Sequence, residues 1–129
     1  MKHHIKIGKL GEEIATMFLM KHGVKILNRN YYTKVGELDI VGKKGKTIIF
    51  YEVKTVSCEN LLDNSGDRHD PKENMHPGKI ENVVKTAQIY LKEHFSHETP
   101  KFKIDGITVE LDMESKKAKV KIIENINIP

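Results

Sequence analysis

The chain has 129 residues, 38% hydrophobic and 31% charged, with a net charge of +4. This composition excludes a disordered chain, no apolar run reaches the roughly 18 residues that a transmembrane helix needs, and we expect one domain over residues 1–129. The single cysteine, Cys58, excludes an intramolecular disulfide and favours a reducing, cytoplasmic compartment.

The first predicted element is a helix from residue 7 to about 23. Apolar residues recur there at helical spacing, and Gly23 is a natural stop. Gly8 and Gly11 each weaken such a helix by roughly 1 kcal/mol relative to alanine. Close approach of another backbone, or a place in a frayed first turn, would explain them.

Three segments rich in Val, Ile, Tyr and Phe follow and are punctuated by glycines. They predict strands at residues 24–32, 35–41 and 47–53, which we expect to form an antiparallel meander. The next stretch, at about residues 57–78, is polar and holds five acidic residues. We expect it to be a mobile loop.

Helical spacing returns from residue 79 to about 95, where Glu81 and Lys85 form a supporting i,i+4 pair. Two further strands are predicted at residues 102–111 and 118–126. The predicted element order is therefore α-β-β-β-α-β-β. The sequence contains no internal repeat that would indicate a second domain.

The charge is distributed unevenly along these elements. Residues 1–50 hold ten Lys or Arg and four acidic residues, a net +6, and the remainder carries −2. The first half is therefore the part expected to face a polyanion. A solvated lysine-rich surface explains the same charge, and charge alone favours that alternative.

Acidic residues occupy the second and third strands, where strands usually avoid them. Glu37 and Asp39 lie on the second strand, and Glu52 and Lys54 on the third. A two-residue turn at Lys44-Gly45 would pair Glu37 with Glu52 and place all four side chains on one face of the sheet. The diagonal from Asp39 to Glu52 would then be roughly 7–8 Å between backbones, at which both carboxylates can bind one ion.

Neighbouring carboxylates repel each other unless a cation intervenes, and oxygen donors without Cys or His suit a hard ion such as Mg²⁺ or Mn²⁺. Such an ion can lower the pKa of water and stabilise charge on a phosphoryl oxygen. Lys54 adds a positive charge that could hold the scissile phosphate or orient the water. Together these groups predict a phosphodiester hydrolase.

The alternative is that the acids lie on the solvated face of a half-exposed sheet, with Lys54 as a surface ion-pair partner. Short motifs match often by chance, so Asp39, Glu52 and Lys54 alone favour this alternative. Further residues are needed to decide between them.

Motifs in the same order along nearly the whole chain resemble those of one family. The matching segments are residues 8–15 (GxxGExxA), 30–31 (Asn and an aromatic residue), 36–40 (GEIDL), 51–55 (VEVKT), 79–91 (a lysine and then AxxYL) and 102–109 (an RFDVV-like strand through Asp105). The chain resembles the YraN-like (UPF0102) family of small bacterial proteins. That family is related to archaeal Holliday-junction resolvases within the PD-(D/E)XK superfamily.

The resemblance implies an α/β fold, a restriction-endonuclease-like mixed sheet flanked by helices. It implies Asp39 and Glu52 as metal ligands and catalytic residues, with Lys54 as the catalytic lysine. Glu12 fits the first-helix acid that completes the metal site in the resolvase relatives. A surface glutamate favoured by the helix dipole is an equal alternative for Glu12.

Two further residues match the family motifs, and each has two possible roles. Glu37 fits an acid that orients a metal ligand, or one that pairs with a neighbouring lysine. Lys79 fits a contact to the phosphate backbone, or simply a lysine in the first turn of a helix.

The leading hypothesis is therefore a Mg²⁺- or Mn²⁺-dependent endonuclease that hydrolyses DNA, with branched or junction DNA as a candidate substrate. One alternative is a nucleic-acid-binding module on the same scaffold that does not cleave. Another is a component of a protein assembly. A homodimer would suit the resemblance, because relatives that resolve junctions cut two strands symmetrically.

Overall fold

A computed structural model describes residues 3–58 and 77–126. Its elements are α1 (His3–Lys21), β1 (Lys25–Tyr32), β2 (Glu37–Lys44), β3 (Thr47–Cys58), α2 (Pro77–His94), β4 (Lys101–Asp112) and β5 (Lys117–Ile123). This order and the restriction-endonuclease-like α/β architecture confirm the predicted fold. Neither described helix has the length and apolar character needed to cross a membrane.

The five strands form one mixed sheet in the order β1-β2-β3-β4-β5. β1, β2 and β3 are antiparallel neighbours, which confirms the predicted meander. β3 and β4 run parallel along their full lengths, and β5 returns antiparallel to β4. Parallel strands need a crossover connection, and α2 lies in the segment that joins β3 to β4.

Strand β3 continues to Cys58, beyond its predicted end at residue 53, because β4 pairs with it along its whole length. Helix α2 begins at Pro77. The predicted loop at about residues 57–78 therefore overlaps both elements at its ends. Residues 59–76, the rest of that prediction, lie outside the described part of the chain.

The helices cover opposite faces of the sheet, so each face has its own core. Side chains alternate along β3, and Ile49 and Tyr51 pack with Leu19 on the α1 face. Phe50 packs with Tyr90 on the α2 face. Glu52 and Lys54 continue the α2-facing series, which places them on the same face of the sheet as Phe50.

Helix α1 approaches β3 closely at one glycine. A Cβ atom built on Gly11 would lie 1.9 Å from Thr55 Oγ1, whereas one built on Gly8 meets no atom within 4 Å. The close approach that would explain Gly11 is therefore present, although the partner is a side chain. The contact fixes the first half of α1, with Glu12, against the strand that carries Glu52.

Candidate active site

The turn between β2 and β3 determines which residues of the two strands face each other. Its two residues are Gly45 and Lys46, and Gly45 has a φ of 61°. A type II′ turn requires a positive φ at its first central residue, which glycine adopts without strain. The predicted turn at Lys44-Gly45 is therefore wrong, and Lys44 pairs with Thr47.

The observed turn moves the strand register by two residues. The pairing of β2 with β3 ends at Ile40 and Tyr51, and the next positions along the two strands are Asp39 and Glu52. The predicted pairing of Glu37 with Glu52 is wrong. Leu38 and Ile40, on either side of Asp39, pack in different cores, so strand alternation does not assign Asp39 to one face of the sheet. A hydrogen bond from the Val53 N–H instead holds Asp39 against β3, next to Glu52.

Asp39 is 8% exposed and held by the backbone of β3. Its Oδ2 accepts a hydrogen bond of 2.7 Å from the Val53 N–H. Burial and then the charge of Glu52 raise the pKa of Asp39 to about 8, although the Val53 hydrogen bond acts to lower it. The charged form of Asp39 is therefore unfavourable without a nearby cation.

Glu52 is 5% exposed and forms an ion pair with Lys79, whose Nζ lies 2.5 Å from Oε1. Lys79 is in the first turn of α2, and its side chain is 49% exposed. Burial lowers the pKa of Lys79, but the hydrogen bond to Glu52 and the charge of that carboxylate outweigh it and raise the pKa overall. The structure thus brings Lys79 directly to a predicted metal ligand.

Glu12 and Glu37 lie at the margin of this pair. Burial raises the pKa of Glu12, as do the charges of Glu37 and Glu52, while Arg29 lowers it. Glu37 is exposed at the start of β2. Among residues 3–58 and 77–126, no three His, Cys, Asp or Glu side chains are gathered closely enough to hold a metal ion. Metal ligation by Glu12 therefore stays a prediction.

Lys54 is half-buried two residues after Glu52 and on the same face. It lies in register with Thr108 of β4. None of the ion pairs between described residues includes Lys54. Its ammonium group is therefore not neutralised by an acid in the described part of the chain.

The donor chemistry at Asp39 and Glu52 fits a hard divalent cation. Both groups are carboxylates, both are buried, and their charges repel each other. Hydrogen bonds and ion pairs between described residues use one oxygen of each, Asp39 Oδ2 and Glu52 Oε1. The two carboxylates are therefore suited to share one cation.

Asp105, in the RFDVV-like strand, does not join this group. It is buried on the α1 face, where Lys103 Nζ lies 3.2 Å from its Oδ2. Its Oδ1 accepts a hydrogen bond of 2.9 Å from the Asn125 N–H, in the turn after β5. These contacts assign Asp105 a structural role at the end of the sheet.

Sequence reasoning missed a cleft of about 550 Å³ between α1 and the outer strands β1 and β2. Glu12 and Glu37 line it together with Arg29, Asn30 and Tyr32. The first predicted strand contains a run of polar residues, which is unusual for a strand packed on a core. That run was the signal in the sequence that could have indicated the cleft.

The fold and the site define a restriction-endonuclease-like α/β protein in which two buried carboxylates, Asp39 and Glu52, lie near Lys54. Residues 11–109 match an uncharacterised protein family, UPF0102. The chain belongs to the UPF0102 family, which confirms the resemblance.

Individual relatives extend this match over most of the chain. A UPF0102 protein of Syntrophomonas wolfei is 39% identical over 93% of this chain and 96% of its own length. UPF0102 protein WS0451 of Wolinella succinogenes is 36% identical over 94% and 95%. A UPF0102 protein of Thermotoga maritima is 43% identical over 64% and 68%. These names state no activity, so a functional assignment depends on the chemistry of the site.

Proposed function

We propose that the protein is a metal-dependent endonuclease that hydrolyses phosphodiester bonds in DNA. The observation that carries this proposal is the burial of two neighbouring carboxylates, Asp39 and Glu52, near Lys54, which pairs with no acid in the described part of the chain. Burying neighbouring acids is unfavourable unless a cation compensates their charge. Binding a polyanion does not need such a pair, whereas metal-assisted hydrolysis uses one to hold the ion.

In the proposed reaction Asp39 and Glu52 hold Mg²⁺ or Mn²⁺ through carboxylate oxygens. When bound, such an ion lowers the pKa of water and stabilises negative charge on a phosphoryl oxygen. The Val53 N–H keeps the Asp39 carboxylate oriented. The Lys54 ammonium group contacts the scissile phosphate and stabilises the charge that develops on it.

The remaining predicted residues have supporting roles in this proposal. Lys79 neutralises Glu52, and if Glu52 held a cation the Lys79 ammonium group would be available to contact a phosphate oxygen. Glu12 is the proposed additional ligand, because its charge already acts on Asp39. Glu37, exposed at the entrance, orients that ligand set.

Strand β5 extends the basic surface beyond the site. The pairing of β3, β4 and β5 places Lys54, Thr108 and Lys121 in one row across the sheet. Directly paired residues share a face, so Lys121 lies on the face that carries Glu52. It is exposed, and two strand spacings put its backbone about 10 Å from that of Lys54. Both lysines can therefore contact one DNA strand.

A second candidate function is a nucleic-acid-binding module that does not cleave. Two observations favour it. Lys79 already neutralises Glu52, and no three potential metal ligands are gathered among the described residues. In that case the basic residues would bind DNA, and the carboxylates would have only a structural role.

The test incubates the purified protein with linear duplex, single-stranded and four-way-junction DNA in Mg²⁺, Mn²⁺ or EDTA. The variant Asp39→Asn removes the proposed ligand, and Glu114→Gln, an exposed acid in the β4–β5 turn, is the matched control. Calorimetric titration with Mn²⁺ reports metal binding independently of cleavage.

Metal-dependent cleavage that Asp39→Asn abolishes and Glu114→Gln retains is the expected result. DNA binding without cleavage by the wild-type protein would favour the binding module. If the wild-type protein neither bound nor cleaved any of these DNAs, both candidate functions would be contradicted.

A further inference from the structure

The cleft between α1 and the outer strands adjoins the candidate active site. Glu12 and Glu37, which act electrostatically on Asp39, form part of its lining. Its volume of about 550 Å³ is in the range of small-ligand sites, so it can hold a single small group beside the proposed reaction centre.

Tyr32 supplies an aromatic surface in this cleft. It is the last residue of β1, pairs with Glu37 and is 69% exposed. Its neighbour Tyr31 is used by the fold instead, donating a hydrogen bond of 2.7 Å to Glu93 and packing its ring against Tyr90. The exposed ring of Tyr32 contributes little to the core, so it is free to contact a ligand.

The polar lining of the cleft identifies what kind of ligand fits. Three carboxylates, on Glu12, Glu13 and Glu37, outnumber the cations of Lys9 and Arg29. This balance disfavours a phosphate group in the cleft and favours a neutral ligand with N–H donors. Carboxylates accept hydrogen bonds from the exocyclic amino groups of nucleobases.

Arg29 and Asn30 present further polar groups. Arg29 Nη1 donates to Glu13 at 2.7 Å, whereas its Nε is buried without a hydrogen-bond partner in the described part of the chain. Asn30 has a φ of 53°, a rare backbone angle within a strand, and its side chain acts to lower the pKa of Glu12.

We propose that this cleft binds one unstacked nucleobase of the DNA strand being cut, with Tyr32 as its stacking surface. The inference rests on the proposed nuclease function and adds a substrate class, DNA with unpaired nucleotides next to the scissile phosphate. A neutral base enters the acidic cleft while its phosphates remain with Lys54 and Lys79. Stacking on an aromatic ring accepts any base, so the cleft selects unpaired structure and not sequence.

The test measures binding of a labelled single-stranded oligonucleotide and of its duplex by fluorescence anisotropy, in EDTA so that nothing is cleaved. Tyr32→Ala should weaken single-strand binding about 5- to 100-fold, the range for losing one base stack, and change duplex binding by less than about twofold. Tyr32→Phe should retain binding, and Tyr32→Leu, which keeps an apolar side chain, should not. Met17→Ala, exposed on α1 and away from the cleft, is the control.

Each outcome has a distinct meaning. If Tyr32→Ala bound single strands as tightly as the wild-type protein, or lost duplex binding equally, the inference would be overturned. The nuclease function would still stand if the wild-type protein cleaved DNA. Tyr32→Leu provides the same test if Tyr32→Ala folds poorly. A wild-type protein that neither binds nor cuts any DNA would overturn the inference together with the proposed function.

Discussion

At the residue scale, the protonation of Asp39 links the site to stability. Its pKa is raised from 3.8 to about 8 by burial and by Glu52, so the folded protein holds this proton more tightly than the unfolded chain. The contribution is most favourable below about pH 4 and is lost as pH rises to 8. Each pKa unit corresponds to about 1.4 kcal/mol.

We therefore expect the free energy of unfolding in EDTA to fall by a few kcal/mol between pH 4 and pH 8. Asp39→Asn lacks the titrating group and should lose less over the same range, becoming the more stable protein at pH 8. Urea unfolding across this range measures the difference. Parallel pH profiles for the two proteins would contradict the raised pKa.

Lys79 gives a second prediction at this scale. Lys79→Met leaves the buried Glu52 without its partner and should lower the free energy of unfolding in EDTA by about 1–3 kcal/mol at pH 7. Mg²⁺ should restore part of this loss, because a cation on Glu52 replaces the ammonium group. Urea unfolding with and without Mg²⁺ measures both effects.

The same helix offers a matched control. Lys85 lies 3.6 Å from Glu81 in an exposed i,i+4 pair, which confirms that predicted pair. Lys85→Met should cost only about 0.3–0.5 kcal/mol and show no response to Mg²⁺. Equal losses in the two variants would mean that the Glu52–Lys79 pair is no more important than a surface ion pair.

At the element scale, the packing of α1 on β3 depends on Gly11. Alanine normally stabilises a helix relative to glycine, but a methyl group at Gly11 would overlap Thr55. Gly11→Ala should therefore destabilise the protein by about 1–3 kcal/mol. Gly8→Ala, which meets no atom, should stabilise it by up to about 1 kcal/mol. Thermal or urea unfolding measures both, and a stabilised Gly11→Ala would show that α1 packs differently.

The sequence predicted these elements because they follow from local periodicity. The face of Asp39 could not be predicted in the same way, because Leu38 and Ile40 pack in different cores and the alternation is broken between them. The register itself could not be predicted, because Gly45 can serve as the first or second residue of a tight turn. Contacts between distant elements, such as that of Lys79 with Glu52, could not be predicted either, because they depend on where α2 begins over the sheet.

At the scale of the whole molecule, each face of the sheet has an apolar core, and the α2 face also carries Glu52, Lys54 and the proposed phosphate contacts. Lys121, on the edge strand β5, belongs to the second face and widens it beyond the central strand. A phosphate contact there would contribute to affinity without regard to sequence.

Lys121→Ala should weaken DNA binding and reduce the slope of log affinity against log salt by about 1, the effect of losing one phosphate contact. Lys25→Ala, an exposed lysine on the opposite edge strand, is the control and should leave the slope unchanged. Binding titrations in EDTA at several salt concentrations measure the slope. The same change in both variants would show that DNA does not distinguish the two edges.

The parallel pairing of β3 with β4 also constrains the order of folding. β1, β2 and β3 can pair through short turns as soon as they leave the ribosome, whereas β4 must wait for the whole crossover segment. Until then β3 is an edge strand, and its acids and Lys54 have neighbours on one side only. The central strand of the mature sheet is therefore enclosed only after the crossover segment has been made, and the nascent chain exposes an unpaired strand edge during synthesis.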